Sequence, residues 1–189
     1  MKKRPLLVPL IFLVILAIII SGLFFIRNSV KKNVLAQLDT IQDEKYGDIY
    51  QINSGNWRKD FVTEEVETPD SYLYKNADVK LKGIGFKTID LEIIQADMSN
   101  FYEDRASDLS EVDDIDKFTS LIEDYAQNAK KTSKIVSLDY KIEGMKNVKV
   151  NYDNKYFINA MTGNFNKASE ELSRKLEEEW DKELGEWKK

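Results

Sequence analysis

The chain has 189 residues, 28 of them basic and 33 acidic, and it contains no cysteine and no histidine. Without cysteine it can form no disulfide, no thiolate metal site and no cysteine-linked lipid anchor. Without histidine it lacks the commonest general base, the commonest zinc ligand and the usual partner of a catalytic serine. An exported domain without disulfides is more typical of a bacterial envelope than of a eukaryotic secreted protein.

The first element is an apolar run, Leu6–Ile26, that contains no charge. As a helix it would be roughly 31 Å long, about the thickness of a hydrocarbon core. Lys2, Lys3 and Arg4 precede it, as in a signal peptide, but the run is long and ends in bulky residues without a small-x-small cleavage site. We therefore expect a retained transmembrane signal-anchor. A signal peptide cleaved near Val34–Ala36 and a buried helix of a soluble protein are the alternatives.

Basic residues flank both ends of this run, so the distribution of charge does not decide its orientation. A short tail followed by one span is typical of a signal-anchor whose C-terminal part is translocated. We expect residues 1–5 to be a short cytoplasmic tail, residues 27–45 a juxtamembrane helix or stalk, and residues 46–189 one extracytoplasmic domain. The protein would then be a single-pass protein of the cell membrane.

The charge balance beyond the span limits the partners. Without the three basic residues that precede the run, 25 basic and 33 acidic side chains remain, a net charge of −8. Nucleic acid binding needs a basic face, so nucleic acid is not an expected partner. The same balance argues against the domain lying flat on anionic lipid. We expect contact with the bilayer through Leu6–Ile26 and a protein partner at the membrane.

The region before the first clear strand has weaker patterns. Residues 28–43 have apolar side chains at helical spacing, which predicts a helix continuous with the span and used as a stalk or a packing helix. Tyr46–Tyr74 reads as short strands and loops. From Val79 to Ile93 apolar and polar residues alternate, with a change of phase at Thr88 that predicts a bulge or bend in one long strand. Gly83–Gly85 fits a bulge or turn better than a phosphate-binding loop.

The clearest helix pattern covers Asp114–Ala129, where apolar residues recur every three or four positions and Asp113 or Asp114 can cap the first turn. The acidic residues between Asp104 and Asp116 could supply oxygen ligands for calcium. The segment has no glycine and not the spacing of a calcium-binding loop, so a solvated loop and a helix cap explain it better. We expect no metal and no cofactor.

Alternation at residues 136–142 and 148–152 predicts two more strands, and Tyr156–Met161 is interpreted as a third that ends at Gly163. Tyr140, Tyr152 and Tyr156 would then lie on neighbouring strands. They could line a ligand cleft, or they could form ordinary cross-strand aromatic pairs.

The last element, Phe165–Trp187, has an apolar stripe along an otherwise charged helix. We expect Leu172, Leu176 and Trp180 to pack on the sheet, with Trp187 at a looser end. The alternative is that the stripe binds a partner, and the candidate partner-binding residues are Trp180, Leu184 and Trp187.

The elements predict an α+β fold in which an N-terminal transmembrane helix precedes one domain. In that domain an antiparallel sheet of four to six strands is covered on one face by the Asp114–Ala129 and Phe165–Trp187 helices. No motif identifies a family or a catalytic site. The leading hypothesis is a non-catalytic, membrane-anchored envelope protein that binds another protein or assembles a complex. A small-ligand or lipid-binding domain is second, and a hydrolase that uses two carboxylates is third.

Overall fold

The computed structural model describes residues 7–43, 69–143 and 147–187. The helices are α1 (Leu7–Asp43), α2 (Ser71–Asn76), α3 (Phe101–Asp104), α4 (Ala106–Leu109), α5 (Ile115–Asn128), α6 (Lys155–Met161) and α7 (Phe165–Trp187). The strands are β1 (Asp78–Ile84), β2 (Thr88–Ala96), β3 (Lys131–Glu143) and β4 (Asn147–Val150). The α+β class is confirmed. Most of the predicted region Tyr46–Tyr74 lies outside the described residues, and its end forms α2 instead of a strand.

The four strands form an antiparallel meander in the order β1-β2-β3-β4. The alternating segment from Val79 to Ile93 is two strands and not one bent strand. The chain reverses at Gly85, whose backbone N–H donates to the carbonyl of Thr88 at 2.7 Å. The change of phase at Thr88 therefore marks the start of β2. The bulge expected nearby is present in β1, where the register shifts between Leu81 and Gly83.

Helix α1 is continuous over 37 residues but lies in two different environments. Residues 12–26 of this helix are exposed and mostly apolar, and the helical stretch Phe12–Asp39 is long and apolar enough to cross a membrane. In its second half Val30, Val34, Leu38 and Ile41 are buried at a spacing of three to four residues, against the apolar face of the sheet. Of the two roles considered for residues 28–43, the structure shows the packing helix.

Helix α6 also covers the sheet, so the interpretation of Tyr156–Met161 as a strand is wrong. The Asn154 side chain caps the helix by accepting from the backbone N–H groups of Tyr156 at 2.9 Å and Phe157 at 3.2 Å. Phe157, Ala160 and Met161 are then buried on one side of the helix. A segment of seven residues is too short for the sequence pattern to separate the periods of a helix and a strand.

A second hydrophobic cluster joins α2, α3, α5 and the start of α7 around Phe101. The predicted helix at Asp114–Ala129 is confirmed as α5, and the Asp114 side chain accepts from the backbone N–H of Lys117 at 2.7 Å. The predicted helix at Phe165–Trp187 is confirmed as α7. Both helices pack in this second cluster, so the expectation that they cover the face of the sheet is wrong. The second half of α1 and α6 occupy that face instead.

The two clusters are connected at the end of β2. The buried Gln95 amide donates from Nε2 to the carbonyls of Leu73 and Met161, and its Oε1 accepts from the backbone N–H of Ala96 at 2.7 Å. The chain turns from α6 into α7 through Gly163, which has a φ of 58°. A Cβ atom at Gly163 would lie 1.8 Å from the Ala96 carbonyl oxygen, so only glycine fits there.

Candidate functional site

A groove of about 1040 Å³ lies between α1 and the end of the sheet that carries the β1–β2 turn. It is lined by Leu23, Ile26 and Arg27 of α1, residues 84–87 of the turn, residues 139–143 of β3, and residues 149–151 at the end of β4. Ile26 is the last residue of the apolar run and Arg27 is the first charged residue after it. The groove therefore lies at the boundary between the apolar and polar parts of α1.

The β1–β2 turn is held firmly over β3. The Tyr140 hydroxyl donates to the Gly85 carbonyl at 3.1 Å, and the Tyr140 backbone N–H donates to the Lys87 carbonyl at 2.8 Å. The register between β3 and β4 places Tyr140 opposite Val150, which is fully buried. Two hydrogen bonds therefore attach the turn to Tyr140, a residue whose partner on β4 lies in the core.

The surface of the groove is largely apolar. Phe86 at the tip of the turn is 88 % exposed, and the Lys87 ammonium lies 5.9 Å from the centroid of its ring. Ile142 on β3 is half exposed, and so are Leu23 and Ile26 on α1. Phe86 therefore belongs to a group of exposed apolar side chains around the groove, and such a group is more informative than a single exposed phenylalanine.

The rim of the groove is basic. Arg27, Lys87, Lys141 and Lys149 line it, against only two acidic residues, Asp139 and Glu143. This local excess of positive charge contrasts with the net charge of −8 beyond the apolar run. The register also places Lys141 directly opposite Lys149 on the neighbouring strand. Both lysines lie on the face of the sheet opposite to Tyr140 and Val150, so they are directed away from the face that packs on α1.

The three tyrosines proposed for a cleft do not come together. Tyr140 lines the groove. Tyr152 is completely buried beside Phe157, with ring centroids 5.2 Å apart, and burial raises its pKa. Tyr156 is 78 % exposed on α6, because this segment is a helix and not a strand. Cross-strand pairing of Tyr140 with another tyrosine is also absent, since its register partner is Val150.

Helix α7 leaves the domain after its first turns. Phe165 is buried and Leu172 is half buried, but Leu176 is 48 % exposed and Trp180 is 66 % exposed. The expectation that Leu176 and Trp180 pack on the sheet is therefore wrong. Leu184 and Trp187 belong to the same helix, but their side chains lie outside the part that the structure describes.

The acidic segment before α5 is occupied by contacts within the domain. Asp104 accepts from the Tyr125 hydroxyl at 2.6 Å, and Asp108 pairs with Arg105 at 2.9 Å. Burial and the bond to Asp104 raise the pKa of Tyr125 to about 12. Among the described residues no group of three acidic side chains could hold a metal ion. These carboxylates contribute to packing and helix capping.

The sequence analysis did not identify Phe86 and Lys87 as site residues. They were assigned to the interior of a long strand, where an aromatic residue does not by itself indicate a binding site. The available signal was a phenylalanine directly after Gly83 and Gly85, at a position typical of a turn, where polar residues are usual.

No protein-family model matches the chain, and no curated protein or solved structure matches it either.

Proposed function

We propose that this chain is a single-pass membrane protein of the bacterial envelope and that its extracytoplasmic domain is a non-catalytic protein-interaction module. The observation that carries the proposal is the division of α1. Its apolar residues from Phe12 to Ile26 are exposed, whereas Val30 and Val34 are in the core of the domain. Only 6 % of the most apolar stretch of α1 is buried within the protein. A bilayer would remove this exposed apolar surface from water.

This division also favours a fixed position of the domain on the membrane. Val30 lies four positions after Ile26, about 6 Å along a helix. The Gln37 side chain adds a polar contact, since its amide donates to the Val148 carbonyl at 2.7 Å. Such a domain would present its surfaces to neighbouring membrane proteins at a constant height and angle, which suits an assembly role better than a flexible tether would.

The exposed face of α7 is the surface that we assign to a protein partner. Leu176 and Trp180 provide an apolar contact on a helix that carries six acidic and four basic residues between positions 167 and 182. Tryptophan is the residue most often found at the energetic centre of an interface. The partner expected from this chemistry is a protein groove with an apolar floor and a basic rim, which receives α7 as an amphipathic helix.

The topology can be tested with single cysteines because the chain has none of its own. Ser173→Cys on α7 should react with a membrane-impermeant maleimide in intact cells from which any outer barrier has been removed. Lys3→Cys should react only after the membrane is opened. The opposite pattern, or labelling of Lys3→Cys in a chain that does not sediment with membranes, would contradict the proposed anchoring.

The partner surface can be tested with a photo-reactive amino acid at Trp180 in cells. We expect a product of defined mass that forms from Trp180 but not from Ile135, an equally exposed apolar position on β3 (68 %). Replacing Glu177, Glu178 and Glu179 by lysine should abolish the product, because the basic rim of the partner would then be repelled. Equal products from Trp180 and Ile135 would refute the interaction role of α7.

A further inference from the structure

The groove has a feature that the protein-interaction role does not use. Its apolar surface begins on α1 at Leu23 and Ile26, residues of the run that we place in the bilayer, and continues onto Ile142 of the domain. If the run is in the membrane, the groove opens at the level where hydrocarbon meets headgroups. An apolar chain could pass from the bilayer into this groove without entering water.

The tip of the β1–β2 turn has the composition of a membrane-interface anchor. Phe86 is almost fully exposed, and Lys87 beside it carries a charge on a long apolar stem. An aromatic ring can enter the interface while an adjacent lysine extends its ammonium to the phosphates. The two hydrogen bonds from Tyr140 hold the turn in place, so the backbone on either side of Phe86 is already ordered before the ring enters a membrane.

The charges at the rim indicate an anionic ligand. Arg27 and Lys87 form no ion pair within the described part of the chain, although other exposed lysines such as Lys82 do. The total charge of −8 does not oppose binding of an anion here. Salt screens charges more than about 10 Å apart, so the local basic residues dominate at the groove.

We propose that this groove binds an anionic phospholipid, with an acyl chain along Leu23, Ile26 and Phe86 and the phosphate held by Arg27 and Lys87. The proposal goes beyond the protein-interaction role but rests on the membrane anchoring proposed with it. It also revises the expectation that an acidic domain avoids anionic lipid. The bound lipid would fill the space between α1 and the sheet and would hold the domain against the bilayer surface.

The test uses the full-length chain in mild detergent and native mass spectrometry with phosphatidylglycerol or phosphatidylcholine. We expect phosphatidylglycerol to be retained more strongly and to raise the unfolding midpoint. In the variant Arg27→Gln/Lys87→Gln the affinity should fall roughly fivefold for each basic residue removed, the usual effect of a basic residue at an anionic surface. The matched control is Lys130→Gln/Lys131→Gln, which removes the same charge from exposed positions outside the groove.

The position of the turn is tested in vesicles of phosphatidylcholine and phosphatidylglycerol. Phe86→Cys and Ile135→Cys, each labelled with an environment-sensitive dye, are compared in the presence of brominated lipid. The dye at Phe86 should be quenched and the dye at Ile135 should not.

The outcomes separate the two proposals. Equal retention of the two lipids, an equal loss of affinity in the control variant, or no quenching at Phe86 in a chain that sediments with vesicles would overturn the lipid site alone. A chain that does not sediment with vesicles would overturn the membrane anchoring and the lipid site together.

Discussion

The most direct test of the structure is to remove a buried side chain from the second half of α1. Leu38 is 3 % exposed and packs against the sheet, whereas Leu35 on the same helix is 39 % exposed. Replacing Leu38 by alanine removes three buried carbon atoms, about 2.4 kcal/mol of apolar burial at ~0.8 kcal/mol each. The cavity left behind adds to this, so we expect a total loss of about 2–5 kcal/mol in the free energy of unfolding. Leu35→Ala should cost less than about 1 kcal/mol, because alanine also favours the helix.

The measurement is urea unfolding of the full chain in micelles, followed by pulse proteolysis of the domain. Circular dichroism is less suitable because the apolar half of α1 would remain helical in detergent. With a slope of about 2 kcal/mol per molar urea, Leu38→Ala should lower the midpoint by roughly 1 M or more. If Leu38→Ala and Leu35→Ala have the same midpoint, residues 30–41 are a stalk and not part of the core.

Three further predictions concern the rest of the domain. Gly163→Ala should destabilise the domain by at least about 1–3 kcal/mol, because a left-handed backbone and a contact with the Ala96 carbonyl both oppose a Cβ atom, and an unchanged urea midpoint would contradict this. Leu176→Ala should cost less than about 1 kcal/mol while Phe101→Ala should cost about 3–5 kcal/mol, since the first side chain is half exposed and the second is fully buried; similar losses would mean that α7 is packed along its length. The third prediction concerns alkaline pH. The pKa of Tyr125 is raised from 10.0 to about 12 in the folded state, so its contribution to stability is fully present below pH 10 and is lost as the pH rises towards 12. Urea midpoints measured from pH 9 to pH 12 should therefore fall more steeply for the wild type than for Tyr125→Phe, and parallel curves would refute the role of this hydroxyl.

Long periodic segments were predicted correctly because their signal is local. The helices at Ile115–Asn128 and Phe165–Trp187 follow long apolar stripes, and the cap is Asp114, one of the two aspartates considered for it. The antiparallel pairing of β2 and β3 follows from alternation that leaves one face polar. In each case the residues that decide the conformation are neighbours along the chain.

Short or isolated features were predicted less well. The short, mostly apolar segment Tyr156–Met161 was predicted to be a strand, but the Asn154 cap and the burial of Phe157 are those of a helix. Phe86 appeared to belong to a strand because the turn at Gly85 could not be separated from a bulge. Distinguishing the two requires the backbone bond from Gly85 to Thr88, which depends on how β1 and β2 pair.

The uncharged apolar helix near the N-terminus, the antiparallel sheet, the two long amphipathic helices and the absence of thiol and imidazole groups can all be predicted from the order and composition of the residues. These properties depend on composition and on periods of two or 3.6 residues. Which helix covers the sheet depends on packing between distant segments, since each amphipathic helix offers an apolar face and the face does not specify its partner. The same is true of the groove, because Arg27, Phe86 and Lys149 are far apart in the sequence and meet only when α1 packs against the sheet.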